Sequence, residues 1–244
     1  MESGTKEINY RGIRILYEDN HVIVCIKPEG VLSQADSTKE RDMVTILKQY
    51  LVEKYDKPGN AYVGLVHRLD RRVSGVMVFA KTSKAASRLS LAIRNNEIKK
   101  TYYAIATGNI ADDGTLVNKL KKVNEKAVSA KDGKDARLDY KVVNHFEFDK
   151  KEYSICRVDL QTGRFNQIRA QFSLFGHPLI NDYKYGYIGK TDKDYSHIGL
   201  FCVELTFIHP VTKQTMTFIY DNIINRSVED WSKYFRGEVT KYEG

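Results

Sequence analysis

The apolar residues of this chain fall in short runs, each closed within a few positions by turn-forming residues, and this limits the fold more than any other feature. Residues 22–26 and 76–80 are wholly apolar and rich in strand formers, far below the roughly 18 residues of a membrane-spanning helix. A helical membrane protein is therefore excluded. Strand candidates lie at 13–17, 22–27, 76–80 and 101–107. Two hairpins are expected, 138–148 with 153–161 and 200–208 with 215–221, each pair flanking a polar turn.

Helices are fewer. Met43, Leu47, Leu51 and Tyr55 recur every fourth residue, and Lys57-Pro58-Gly59-Asn60 would stop that helix. Ser83 can cap a second helix running through Asn95, with Ala85, Leu89, Ala92 and Ile93 inward. A short third helix is expected over 165–175, Ile168 and Phe172 facing in and Arg169 on a neighbouring face. Strands joined by hairpins with interspersed helices predict an α+β fold on a mixed, largely antiparallel sheet. With no repeat and no Pro/Gly/Ser-rich linker, the expected layout is a lead at 1–12, one catalytic domain at 13–222 and a helical extension at 223–244 carrying Val228, Trp231 and Tyr234.

The first 20 residues lack an apolar core, so no secretory leader is expected. Cys25, Cys156 and Cys202 sit in strand-like segments without ligand spacing, as buried thiols of a cytoplasmic protein would. The six histidines form no metal-binding spacing, so neither metal nor cofactor is expected. Lys+Arg exceed Asp+Glu by 39 to 31, a net +8 that suits a polyanionic partner as well as it suits simple solubility. Residues 119–137 hold seven basic and three acidic side chains, which reads as a solvated flexible hairpin loop or an RNA contact.

Two constellations carry chemistry. His67-Arg68-Leu69-Asp70-Arg71-Arg72-Val73-Ser74-Gly75 sets one carboxylate among three guanidinium groups just before an apolar strand. Neighbouring positive charge favours the ionised carboxylate, which can act as nucleophile, base or anchor, though the same residues could form a surface ion pair. Gly163-Arg164-Phe165-Asn166-Gln167-Ile168-Arg169 is followed by Gly176-His177-Pro178 and Asp182-Tyr183-Lys184-Tyr185-Gly186. These are the wet face of an amphipathic helix, or a site aiming Arg164 at phosphate and Arg169 at a buried anion.

Together with Lys27-Pro28-Glu29-Gly30, Lys100-Thr101-Tyr102-Tyr103-Ala104, Gly133-Lys134-Asp135-Ala136 and Leu205-Thr206-Phe207-Ile208-His209-Pro210, these stretches resemble the RluA-type pseudouridine synthases, which isomerise uridine in ribosomal and transfer RNA. The resemblance covers roughly residues 13–221 in the family's order. It implies a cofactor-free enzyme with Asp70 as the catalytic carboxylate, Tyr102 against the uracil and Arg169 as the basic partner of Asp70. It places His67, Leu69, Asn166, Gln167 and Ile168 around the pocket, Arg68 in the space left by a flipped base, and Arg71, Arg72 and Arg164 on RNA phosphate. Ribosomal or transfer RNA is the implied partner, and neither a membrane nor an obligate protein partner is expected; because only about a dozen residues precede the first expected strand, the extra N-terminal RNA-binding domain that many relatives carry is not expected.

The chain departs from the family's pattern at four positions. Val73 stands where Thr is usual, Asn166 where His is usual, Asn181 where Gly is common, and Phe201 where His is typical. Two rival readings remain: a catalytically idle RNA-binding or ribosome-assembly protein with the same fold, and a carboxylate hydrolase of small molecules. The hydrolase is disfavoured because no second catalytic carboxylate lies near Asp70 in sequence.

Overall fold

The computed structural model describes residues 8–56, 58–148, 150–189 and 197–224. In chain order the elements are β1 (Ile8–Tyr10), β2 (Ile13–Glu18), β3 (Val22–Lys27), α1 (Met43–Tyr55), β4 (Gly64–Leu65), β5 (Ser74–Ala80), α2 (Ser83–Arg94), β6 (Lys99–Thr107), β7 (Gly114–Val123), β8 (Lys126–Ser129), β9 (Lys134–Phe148), β10 (Lys151–Leu160), α3 (Gln167–Leu174), β11 (Leu200–Ile208), β12 (Thr215–Ile219) and α4 (Asp221–Ile224). The chain forms two compact units. One takes residues up to Lys100 together with Glu204–Tyr220, and the other takes Thr101–Val203 and the residues from Asp221.

In the first unit β1, β2, β3 and β5 form successive antiparallel ladders, with β4 on the Phe79–Ala80 end of β5 and β11 paired with β12. Every residue of β3 and β5 is buried, which is why both read as apolar runs without alternation. Each fully buried Val, Ile or Phe there contributes about 1.5–3 kcal/mol. Asp42 caps α1 by accepting from the Thr45 N–H, and the helix ends at Asp56 in the left-handed conformation. The expected stripe residue Tyr55 is half exposed, its hydroxyl donating to Glu18; Ile46 and Tyr50 are buried instead. The cap of α2 is Thr82, one residue before the expected Ser83, and it accepts from the Ala85 N–H at 3.1 Å. Strand β1 lies within the expected lead and pairs with β2.

The second unit is an antiparallel meander in which β6 pairs with β10, β10 with β9, β9 with β7 and β7 with β8. The basic segment 119–137 is ordered here. It forms the second half of β7, all of β8 and the start of β9. Leu116, Asn118 and Leu120 alternate with exposed Thr115, Val117 and Lys119, a strand period hidden by the density of lysines. Leu120, Ala127 and Ala136 meet Ala170 of α3 and Tyr185 in a small core. Helix α3 begins at Gln167, later than expected, because Asn166 adopts φ 47° and ψ 32°. All three cysteines are buried and unbridged. Among the described residues no helix is long and apolar enough to cross a membrane. The helix expected around Val228, Trp231 and Tyr234 lies outside the described residues.

Candidate active site

In the first unit the loop between β4 and β5 carries Asp70, and several anchors fix it. The β4 ladder ends at Leu65, and His67 continues it with its side chain, Nε2 accepting from the Val78 N–H at 3.1 Å. Burial pushes His67 down to about 3, with Lys100 adding to the shift, so the ring is neutral and its proton sits on Nδ1. Ser33 Oγ donates to the Leu69 carbonyl at 2.7 Å and accepts the Leu69 N–H at 3.1 Å. The Gly30 N–H meets the Arg71 carbonyl at 2.9 Å. Asp70 closes its own turn, Oδ1 accepting from the Arg72 N–H at 3.1 Å and the carbonyl from the Val73 N–H at 3.0 Å. Gly75, at φ 140°, turns the chain into β5.

Lys27 lies beneath this loop with no exposed surface. Its ammonium donates to the carbonyls of Val31 at 2.7 Å, Pro28 at 2.9 Å and Arg71 at 3.2 Å, tying the turn after β3 to the residue following Asp70. Burial pushes it down to about 7, and the negative charges of Asp70 and Glu29 oppose that shift. Of the cations expected on RNA, Arg68 is exposed and Arg72 half-buried, while Arg71 is spent partly on Glu40 at 2.9 Å.

In the second unit Arg169 is buried on α3 and grips Asp182 in two-pronged fashion. Its Nε and Nη2 each lie 2.7 Å from one carboxylate oxygen, and its guanidinium stands 4.8 Å over the Tyr185 ring. Asp182 is wholly buried. Gln167 uses all four of its bonding positions: Oε1 accepts from Thr162 Oγ1 and the Arg164 N–H, and Nε2 donates to the Arg137 carbonyl and Gln171 Oε1. Gln171 continues the network to Leu116, Asn118 and Ala136, binding α3 to β7 and β9. Arg164 is braced by Nε on the Asp135 carbonyl at 2.7 Å, and Ile168 is core. Tyr102, on β6 opposite Val158, is buried, and its hydroxyl bonds the Cys202 thiol. Burial, with Cys202 adding to it, raises this phenol well above 10, so it stays protonated at every physiological pH.

The sequence pattern of the RNA pseudouridylate synthase family matches residues 21–174, which include Asp70, Tyr102 and Arg169. The chain belongs to that family. Among its relatives, ribosomal large subunit pseudouridine synthase D of Yersinia pestis is 36% identical over 177 residues, covering 70% of this chain and 52% of the relative. The tRNA pseudouridine synthase C of Pasteurella multocida is 31% identical over 222 residues, covering 84% of this chain and 89% of the relative. The chain spans about two thirds of the length of synthase D from Vibrio cholerae, and about half of the Yersinia protein. The solved structure of human RNA pseudouridylate synthase domain containing 1 superposes with a TM-score of 0.68 at 19% identity, covering 88% of this chain and 85% of its own.

The departures from the pseudouridine synthase pattern take on structural meaning. Asn181, where Gly is common, sits at φ 64°, and Asn tolerates the left-handed region better than other side chains. Asn166 does the same at the start of α3. Val73 and Phe201 are core residues. Sequence reasoning missed Ser33 and Gln171, quoted Asp182 in the second constellation without pairing it with Arg169, and saw Lys27 only as part of a turn. A lysine continuing a wholly apolar strand was the one available signal for it.

Proposed function

We propose that the chain is an RNA pseudouridine synthase acting on specific uridines of ribosomal or transfer RNA in the cytoplasm, with Asp70 as the reacting carboxylate and no cofactor. The observation that carries this is the Asp70 loop, held by Lys27, Ser33, Gly30 and His67 on an all-buried strand within the stretch matching the family. Preorganisation of this kind suits a carboxylate that must meet one atom of a substrate and has no value for a surface ion pair.

In the reaction the bond from ribose C1′ to uracil N1 breaks and a bond from C1′ to C5 forms; C5 loses its hydrogen and N1 gains one. Asp70 can add to uracil carbon 6, attack C1′, or take a ribose proton, and each route needs the carboxylate ionised. Arg169 is the basic partner of Asp70 in this reading, its guanidinium oriented by Asp182. Tyr102, protonated and directed by Cys202, lies against the uracil and relays the C5 proton as a neutral hydroxyl. A target uridine leaves its stack at a cost of a few kcal/mol, and Arg68 fills the gap. Arg72, Arg164 and the lysines of β7 to β9 bind phosphate.

Incubation with uridine-labelled total RNA tests the reading. Wild type should yield pseudouridine and Asp70→Asn none. RNA binding without product from wild type would instead mark a catalytically idle RNA-binding protein.

A further inference from the structure

The first unit has a concave feature at the opposite end of β5 from the Asp70 loop. A cleft of about 480 Å³ is lined by His21, Thr82, Lys84, Arg88, Val211 and Lys213. Three separate segments build it: the turn before β3, the start of α2, and the turn between β11 and β12. That last turn is fixed. Arg88 Nη1 and Lys213 Nζ donate to the Pro210 carbonyl at 2.7 and 3.3 Å, and His209 Nδ1 accepts the Thr212 N–H at 2.9 Å.

The charges here are uncompensated. The first turn of α2 holds Lys84 and no acidic residue, although a helix N-terminus already carries partial positive charge. Among the described residues none of Lys84, Arg88 and Lys213 forms an ion pair, whereas Arg11, Lys54, Arg71 and Lys81 of the same unit each meet a glutamate. Asp19, next to this turn, is occupied by the backbone N–H groups of His21 and Val22 and by His209. Three cations and a helix N-terminus around one cavity suit a multiply charged anion with several acceptor oxygens.

We propose that this cleft binds a backbone phosphate of the RNA substrate outside the reacting nucleotide, giving the enzyme a second grip; this rests on the pseudouridine synthase reading above. Strand β5 separates cleft from loop by six residue steps, about 20 Å. An A-form RNA duplex covers that distance in roughly seven base-pair steps of about 2.8 Å. The cleft therefore favours RNA that extends well past the target uridine.

The test is the double substitution Lys84→Glu with Lys213→Glu, leaving Arg88 on Pro210, with folding checked by near-ultraviolet circular dichroism. Binding is measured across a salt series for mixed transfer RNA and for a uridine hairpin of about four base pairs, too short to reach. On transfer RNA, Kd should rise about tenfold and the slope of log K against log salt should fall by about one to two, with hairpin binding unchanged. Equal affinity and slope on transfer RNA for both proteins, or equal losses on both RNAs, would overturn the proposal. Titration with inorganic phosphate, read on the His21 ring protons, separates the remaining source. Saturation lost in the variant while transfer RNA binding is intact means a free-anion site and also overturns it. Failure of wild type to form pseudouridine sinks the catalytic reading, while the salt series still reports on the cleft.

Discussion

Arg169 and Asp182 face each other edge to edge, Nε and Nη2 on the two carboxylate oxygens at 2.7 Å, with both side chains almost wholly buried. A buried pair of this kind is costly to break from either side, because the surviving charge loses its two-pronged counter-charge in a place water does not reach. Arg169→Met and Asp182→Asn should each cost about 3–5 kcal/mol in urea unfolding. The double variant should cost less than the sum of the two by about 1–3 kcal/mol. Turnover should be lost in all three, with RNA affinity only slightly weaker. Additive stability losses would show that the pair is not coupled, and a collapse of RNA affinity in Arg169→Met would make Arg169 a phosphate contact.

Lys27 gives a second expectation, in which the sign of the pH dependence decides. Its ammonium is depressed from its ordinary 10.5 to about 7, so above pH 7 the unfolded chain binds a proton that the folded chain does not. Stability should rise with pH by up to about 1.4 kcal/mol per unit. The window is pH 7 to 8.5, below the range where thiols of the unfolded chain begin to titrate near 9. Lys27→Met should flatten that slope and, by releasing the Arg71 carbonyl, lower kcat more than it raises KM. Thermal unfolding across the window checks the first part; an unchanged slope in the variant refutes it.

Tyr102 bonds Cys202 and keeps its proton, so its contribution is that of a neutral hydroxyl. Tyr102→Phe should lower kcat by about 10²–10⁴ with RNA affinity preserved. The wild-type rate should show no alkaline limb from this phenol below pH 10. A limb near pH 8 that vanishes in Tyr102→Phe would mean that the phenolate forms and that its environment is more polar than its burial implies.

What the sequence made legible follows from which forces act locally. The apolar runs of β3 and β5 and the four-residue period of α1 are local signals, and each element appears where expected. The β7–β8 hairpin was hidden because its lysines mask a two-residue alternation, and its order depends on Leu120, Ala127 and Ala136 meeting α3. Asp70, Tyr102 and Arg169 were nameable from motifs, yet their supports were not. Ser33 reaches Leu69 across 36 positions and Gln171 reaches Leu116 across 55, contacts that only tertiary folding creates.

The acid limb of stability should be traceable to Glu18. Burial alone would raise this carboxyl, but Lys54, Lys81, Tyr55 and Tyr50 all donate to it and hold it at about 2. Because the folded value lies below the ordinary 4.5, the stabilisation is complete above pH 4.5 and is lost as pH falls through about 2. Neutral His67 adds a separate loss between about 6.5 and 3, since it must charge to unfold at low pH. Glu18→Gln should cost about 3–5 kcal/mol at pH 7 and remove only the Glu18 share of the loss between pH 4.5 and 2, leaving the His67 loss between about 6.5 and 3 in place. Urea midpoints at pH 7, 5, 3.5 and 2.5 separate the two. If the variant keeps the full wild-type loss below pH 4.5, the lysine and tyrosine cage is not what holds the carboxylate charged.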